Sequence, residues 1–256
     1  MVNTVKEEWQ EDELVVYLAD DIGMTLGKAI AQVAHAVGAA WLARMAITAE
    51  NDGQVQLSLT PAAHLAFPNQ QAMLPHIVPC ASELLPEENL DFIEIIDAGK
   101  TLFSEPTKTC VAYSPLLGEA LTPEHRLPFN DELIEYKQAF FVNRKTCAEL
   151  AIADHDLIAA LASASLAIIL ADMNDGELTL AKHSALYQWI TSSFGKTVVG
   201  TKKVGKFLEV RELLATSGIR FQEVHYQEQL IGLCSEPIAA DKIHQFTKYK
   251  TFNLLG

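Results

Sequence analysis

Met24-Thr25-Leu26-Gly27-Lys28-Ala29-Ile30-Ala31-Gln32-Val33-Ala34-His35-Ala36 follows, across one short acidic turn, the apolar run Leu14-Val15-Val16-Tyr17-Leu18. An unbroken apolar run of that length reads as a strand buried on both faces. The Ala- and Val-rich stretch after it reads as a helix slim enough to lie close against a sheet. A strand, a turn and a helix in that order point to the α/β class. Lys28, Gln32 and His35 stand at i, i+4 and i+7, so they share one helical face and can converge on one ligand. The plain alternative is a solvated face with one capping lysine.

Working outward, a chain of 256 residues accommodates one large domain or two of ordinary size. Apolar residues make up 49% of it, enough to bury a substantial core. Cys80, Cys110, Cys147 and Cys234 are far apart and form no CxxC pair, which argues for reduced thiols in an intracellular, cytoplasmic protein and against a structural zinc site. The polar, acidic stretch Met1 to Asp12 does not read as a secretory signal. The longest apolar run, Leu157 to Ala171, falls short of the roughly 20 residues needed to span a bilayer and reads as a buried helix.

Along the chain, Asp20 to Gly23 is a turn, and the helix is expected from about Leu26 to Ala49, closed by Asn51-Asp52-Gly53. A strand is expected around Ala63 to Phe67, then a kinked or broken helix through Pro75 and Pro79. Phe92 to Ile96 is a strand ending in the turn Asp97-Ala98-Gly99-Lys100-Thr101, and Cys110 to Tyr113 is another. Pro115, Pro123 and Pro128 mark a linker. Beyond it come a strand at Gln138 to Val142, an Ala-rich helix at Asp156 to Met173, and a strand at Thr197 to Gly200. A helix at Val204 to Ser217, closed by Gly218, and strands at Phe221 to His225 and Leu230 to Cys234 complete the pattern.

The order of elements thus starts twice. Met173 lies 128 residues after Met45, and Phe221 lies 129 after Phe92, an offset near half the chain that suggests duplication of one α/β unit. The polar set is not repeated: Lys28, Gln32 and His35 correspond to Asp156, Ala160 and Ser163, and Asp97 and Thr101 to Tyr226 and Leu230. That contrast assigns chemistry to the first copy.

The motif Met24-x-x-Gly27-Lys28-x-x-x-Gln32-x-x-His35-Ala36 after a strand, then Asp97-Ala98-Gly99-x-Thr101, then Thr107-x-Thr109 before a strand, resembles the archaeal/eukaryotic-type (second-type) peptidyl-tRNA hydrolases over about Leu14 to Pro115. The resemblance implies a mixed four-stranded sheet flanked by helices and a metal-independent esterase needing no cofactor. Its substrate would be the ester joining a peptide to the terminal ribose of tRNA. It implies catalytic roles for Lys28, Asp97, Thr101 and Thr109, with Gly27, Gln32 and His35 as further motif members. The prolines between the strands depart from that pattern. With the duplication, the expected architecture is two tandem copies of such a sheet: residues 1–120, a linker at 121–133, and a degenerate copy at 134–256. The copies would pair within one chain or between two chains of a homodimer.

Ester hydrolysis requires an activated water and a place for the oxyanion. Asp97, closing an apolar strand, is placed to orient or deprotonate water, Lys28 to stabilise the oxyanion, and the threonines to hold Asp97 or the ester carbonyl. His35, deeper in an Ala-rich helix, is either a proton relay or a structural histidine. No histidine has HxxxH or HExxH spacing, so no metal site is expected.

Charge is the main objection to an RNA substrate. The net charge is −14. Residues 1–130 hold 6 Lys and Arg against 18 Asp and Glu, net −12, whereas residues 131–256 hold 13 against 15, net −2. An acidic balance repels polyanions and anionic membranes alike. Binding tRNA would need a local basic rim near Lys28, Lys100 and Lys108, extended by Lys202 and Lys203, which precede a helix and are candidate substrate-binding residues. Two other functions fit the same residues: a noncatalytic tandem scaffold or interaction module, and a hydrolase of a small uncharged ester.

Overall fold

The computed structural model describes residues 13–68, 73–87, 92–99, 102–130, 135–247 and 252–255. Its first half runs β1 (Leu14–Ala19), α1 (Leu26–Leu42), β2 (Met45–Glu50), β3 (Gln54–Leu59), α2 (Pro61–Ala66), β4 (Pro75–Cys80), β5 (Phe92–Asp97) and β6 (Thr107–Tyr113). The second half runs β7 (Tyr136–Asn143), α3 (Arg144–Glu149), α4 (Asp154–Leu170), β8 (Glu177–Ala181), α5 (Ala185–Ile190), β9 (Lys196–Thr201) and α6 (Val204–Thr216). It continues with β10 (Phe221–Tyr226), β11 (Gln229–Ser235), β12 (Ile238–Ala239), α7 (His244–Thr247) and β13 (Asn253–Leu254).

The fold is α/β, two tandem copies of a small mixed sheet flanked by helices. The first sheet has the order β4-β1-β6-β5, with β1 parallel to β4 and antiparallel to β6, and β6 antiparallel to β5. The second repeats this as β9-β7-β11-β10 in the same directions, extended by β13 on the outer edge of β9 and by β12 beside β7. Even the irregularities coincide. Between β5 and β6 the register steps from Ile95↔Cys110 to Ile96↔Lys108, passing over Thr109. Between β10 and β11 it steps from Val224↔Gly232 to His225↔Leu230, passing over Ile231. A bulge of this kind turns an extra side chain toward the core.

The helices α1 and α4 pack against each other between the two sheets. Each lies on its own sheet and reaches one of the two parallel strands of the other: α1 touches β9, and α4 touches β4. A single apolar core therefore contains residues of both halves, with Ile30, Val33, Val37 and Trp41 meeting Leu161, Leu166, Ile168 and Phe194. A third sheet, β2-β3-β8, also joins the halves. The far face of the second sheet is covered by α6 and α7 through Phe207, Val210, Leu214 and Phe246.

Several expectations are corrected. The first helix stops at Leu42, not Ala49; Met45–Glu50 is instead a strand, and Asn51-Asp52-Gly53 is the hairpin turn to β3. The chain turns at buried Arg44, whose side chain donates to the carbonyls of Ala40 and Gly118. Residues 63–67 belong to the short helix α2 and its cap rather than a strand, with Pro61 in its first turn, where a missing N–H costs nothing. The segment with Pro75 and Pro79 is the edge strand β4, not a broken helix. Cys80 faces β1 through its carbonyl, so Pro75 and Pro79, at the opposite parity, turn their missing donors away from the ladder. Residues 118–130 lie along the body through Leu121 N–H to Ala43 O and Asn130 N–H to Thr191 O, both about 3 Å. The acidic tail 1–12, the remainder of the expected linker, 131–133, and residue 134 lie outside the described residues.

Candidate active site

The first turn of α1 and the ends of β5 and β6 meet at one point. Thr25 caps α1, its Oγ1 accepting the Lys28 N–H at 3.3 Å, which seats Lys28 in the first turn. From there the Lys28 ammonium pairs with Asp97 Oδ2, the last residue of β5. One turn on, Gln32 Nε2 donates to the same oxygen at 2.8 Å. The other carboxylate oxygen accepts the Gly99 N–H at 3.0 Å. Gly99 sits at φ +72, and a Cβ there would lie 2.6 Å from the backbone of Glu105, so this tight turn needs glycine.

Thr109, set inward by the bulge and fully buried, supports the arrangement from behind. Its hydroxyl lies 3.1 Å from Gln32 Oε1 and 3.2 Å from the Ile95 carbonyl. With its amide oxygen at Thr109, Gln32 must present its NH₂ to Asp97. Asp97 is 8% exposed and the Lys28 side chain 18%. The result is a nearly buried carboxylate in a defined orientation beside an ammonium that still reaches solvent. Among the described residues Asp97 Oδ1 accepts from the Gly99 N–H alone, which leaves it a second lone-pair direction.

Thus Lys28, Gln32, Asp97 and Thr109 come together. Thr101 lies outside the described residues. His35 turns elsewhere, making edge contacts with Phe194 at 4.8 Å and Phe129 at 6.4 Å between ring centroids. Burial first, and then the positive charges of Lys196 and Lys28, hold its imidazole well below the ordinary histidine range, so it is neutral. Lys196, over the Phe194 ring at 3.5 Å, has its own ammonium pushed well down by burial. Gly27 is in contact with the end of the second half. Its N–H donates to the Leu255 carbonyl at 2.9 Å, and a Cβ on Gly27 would meet that oxygen at 2.4 Å.

The basic rim expected around Lys28 is largely neutralised. Lys108 pairs with Glu94 at 2.8 Å and donates to the Pro86 carbonyl, and Lys100 lies outside the described residues. Lys202 and Lys203 are exposed at the end of β9. Sequence reasoning missed their neighbour Arg144, which follows β7 as Lys202 follows β9; that parallel placement was the available signal. Nothing in the residue pattern marks Leu255. Among the described residues no group of three or more His, Cys, Asp or Glu is arranged to hold a metal ion, and no helix is long and apolar enough to cross a membrane. The four cysteines are unpaired thiols; burial pushes Cys110 up to about 12 and Cys147 up to about 11.

No curated protein matches the chain. The segment that carries Gly27, Lys28, Gln32, Asp97 and Thr109 is similar to a known family: residues 13–123 match the family model described as Peptidyl-tRNA hydrolase PTH2.

Proposed function

We propose that this protein is a peptidyl-tRNA hydrolase-like esterase whose reaction centre is the Lys28–Asp97 pair, cleaving the ester between a peptide and the terminal ribose of tRNA. The observation that carries the reading is the oriented, nearly buried Asp97 carboxylate, held by Lys28, Gln32 and the Gly99 N–H. In this reading a water on Asp97 Oδ1 attacks the ester carbonyl carbon and gives its proton to the carboxylate. The Lys28 ammonium stabilises the oxyanion formed there. Collapse of the intermediate breaks the bond to the ribose oxygen, which takes the proton from Asp97. Gln32 and Thr109 act through Asp97 as positioning residues, and Thr101 is a candidate hydrogen-bonding residue from the same motif. His35, neutral and among aromatic rings, fits a structural role better than a relay.

The second half, in this reading, is a degenerate copy from which the centre has been lost. Strand order, direction and bulge support the duplication, while Asp156, Ala160, Tyr226 and Ile231 stand where Lys28, Gln32, Asp97 and Thr109 stand in the first. The test is hydrolysis of a peptidyl-tRNA by the wild type, Lys28→Ala and Asp97→Ala. The wild type is expected to release tRNA, and each variant to be slower by roughly a hundredfold or more. Equal rates in all three would overturn the assignment and favour the scaffold reading.

A further inference from the structure

The acidic first half leaves the polyanionic substrate without a grip, and the amides of α1 do not supply one. The Gly27 N–H is taken by Leu255, the Lys28 N–H by Thr25 Oγ1 and the Ala29 N–H by the Thr25 carbonyl. Across the molecule, the ends of the parallel strands β7 and β9 differ in charge from the matching ends in the first sheet. Asn143 pairs with Thr201 in register, so Arg144, which opens α3, and Lys202 follow directly from two paired strand ends, with Lys203 after Lys202. At the matching place in the first sheet Ala19 pairs with Cys80, and Asp20 and Asp21 follow. There Asp21 closes the corner by accepting from Ser82 N–H at 2.8 Å and Ser82 Oγ at 3.1 Å.

Among the described residues, no side chain closes the second corner in this way. No salt bridge engages Arg144, Lys202 or Lys203 among the described residues, whereas Lys145 and Lys206 have their own glutamates at 3.6 and 2.6 Å. The start of α6, a 13-residue helix, has no side-chain cap, and a Cβ on its Gly205 would meet nothing within 4 Å. Uncapped N–H groups beside unpaired cations suit a phosphate. The corner also adjoins the reaction centre. Arg144 and Leu255 both lie against Gly200, and Leu255 is hydrogen-bonded to Gly27, the neighbour of Lys28. Two strand spacings and one hydrogen bond place the cations roughly 10–15 Å from Lys28, about the reach of two or three nucleotides.

We infer that Arg144, Lys202, Lys203 and the start of α6 form a phosphate-gripping surface for RNA, so that the second half binds the acceptor end of the tRNA whose ester the first half cleaves. The inference rests on the proposed function only for the identity of the RNA, and its test does not require catalysis. Binding of a deacylated acceptor-stem RNA is measured by fluorescence anisotropy over a range of salt. The full chain is compared with Arg144→Gln/Lys202→Gln/Lys203→Gln and with a control, Arg126→Gln/Lys182→Gln/Lys242→Gln, that removes the same charge elsewhere. Loss of three phosphate contacts is expected to weaken binding roughly a hundredfold near 0.1 M salt and to flatten the slope of log K against log salt by about 2 to 3. The control should keep the wild-type slope. Unchanged binding in the corner variant, or an equal loss in the control, overturns the inference. RNA binding lost with the corner in a chain that hydrolyses no peptidyl-tRNA would sink the esterase reading and leave this one standing. Wild-type hydrolysis by the corner variant, with unchanged KM, would do the reverse.

Discussion

Removing Lys28 strands a carboxylate. In Lys28→Met the methylene stem remains, but Asp97, 8% exposed, keeps, among the described residues, only the Gln32 and Gly99 donors. Breaking a buried ion pair from one side typically costs about 3–5 kcal/mol. The two surviving charge-assisted hydrogen bonds bring the expected loss to the low end, about 3 kcal/mol. Asp97→Asn costs less, about 1–2 kcal/mol, because Lys28 is at the rim and can turn to water while the amide oxygen put in place of the carboxylate still accepts from Gly99. In the double variant no charge is left buried, and about 1 kcal/mol is expected. Urea denaturation of the four proteins closes the cycle with a coupling of about 3–4 kcal/mol. Activity should not follow stability: the double variant regains most of the lost stability, yet hydrolyses peptidyl-tRNA no faster than either single one. A coupling below about 0.5 kcal/mol would refute the buried pair, and activity that returned with stability would refute its role in the chemistry.

Four further outcomes test the surroundings. Thr109→Val leaves the Gln32 amide oxygen without its buried donor and should cost about 1–3 kcal/mol in thermal unfolding, with Thr109→Ser much closer to wild type. Gly27→Ala puts a methyl into the Leu255 carbonyl, so the 252–255 segment should detach and its amides exchange hydrogen faster while the core stays protected. The depressed His35 pKa makes protonation favour the unfolded state, so stability should fall as pH drops below about 6.5, by up to about 1.4 kcal/mol per pH unit. His35→Gln should remove that dependence, and an unchanged acid limb would show that His35 is not its source. A fragment of residues 13–123 lacks α4 and β9 against α1, so sedimentation should find it unfolded or self-associated; a stable monomer would contradict the shared core.

Much of the fold was legible because burial leaves an unambiguous mark where an element is apolar on all sides. β1, β7 and α4 are such elements, and the offsets of 128 residues from Met45 to Met173 and 129 from Phe92 to Phe221 suggested the repeat. The failures share a cause. Met45 to Ala49 continues a helix-forming composition, and only pairing of Met45 with Leu59 and Ile47 with Leu57 makes it a strand; that information is tertiary. β4 reads as broken because a proline is judged by its missing donor, and whether the donor is needed depends on which neighbour the strand has. At the site, the polar residues on α1 and the Asp97 turn were visible as departures from apolar patterning. The grouping of Thr109 with Gln32 depends on a bulge that the spacing does not reveal, and Arg144 gains meaning only once β7 and β9 are known to lie side by side.

The pairing of two sheet-and-helix units also bears on the acidity that argued against RNA. A single sheet must place its carboxylate centre and its phosphate grip on neighbouring loops, where each weakens the other. The Lys28 ammonium is paired with Asp97 and, in the proposed reaction, serves the oxyanion, and Lys108 is already engaged by Glu94. With two sheets back to back across α1 and α4, β9 runs beside α1, and its carboxyl end, with the cations that follow it, lies next to the Lys28 turn without belonging to it. The net −12 of the first half would then oppose only the part of a substrate that reaches Asp97, and an ester between a peptide and a ribose carries no charge at the bond to be broken. Charge repulsion would act on phosphates that stray toward Asp20 and Asp21, and attraction on those that settle at Arg144 and Lys202. In the proposed complex the acidity of one half would help set the direction in which RNA lies across the molecule.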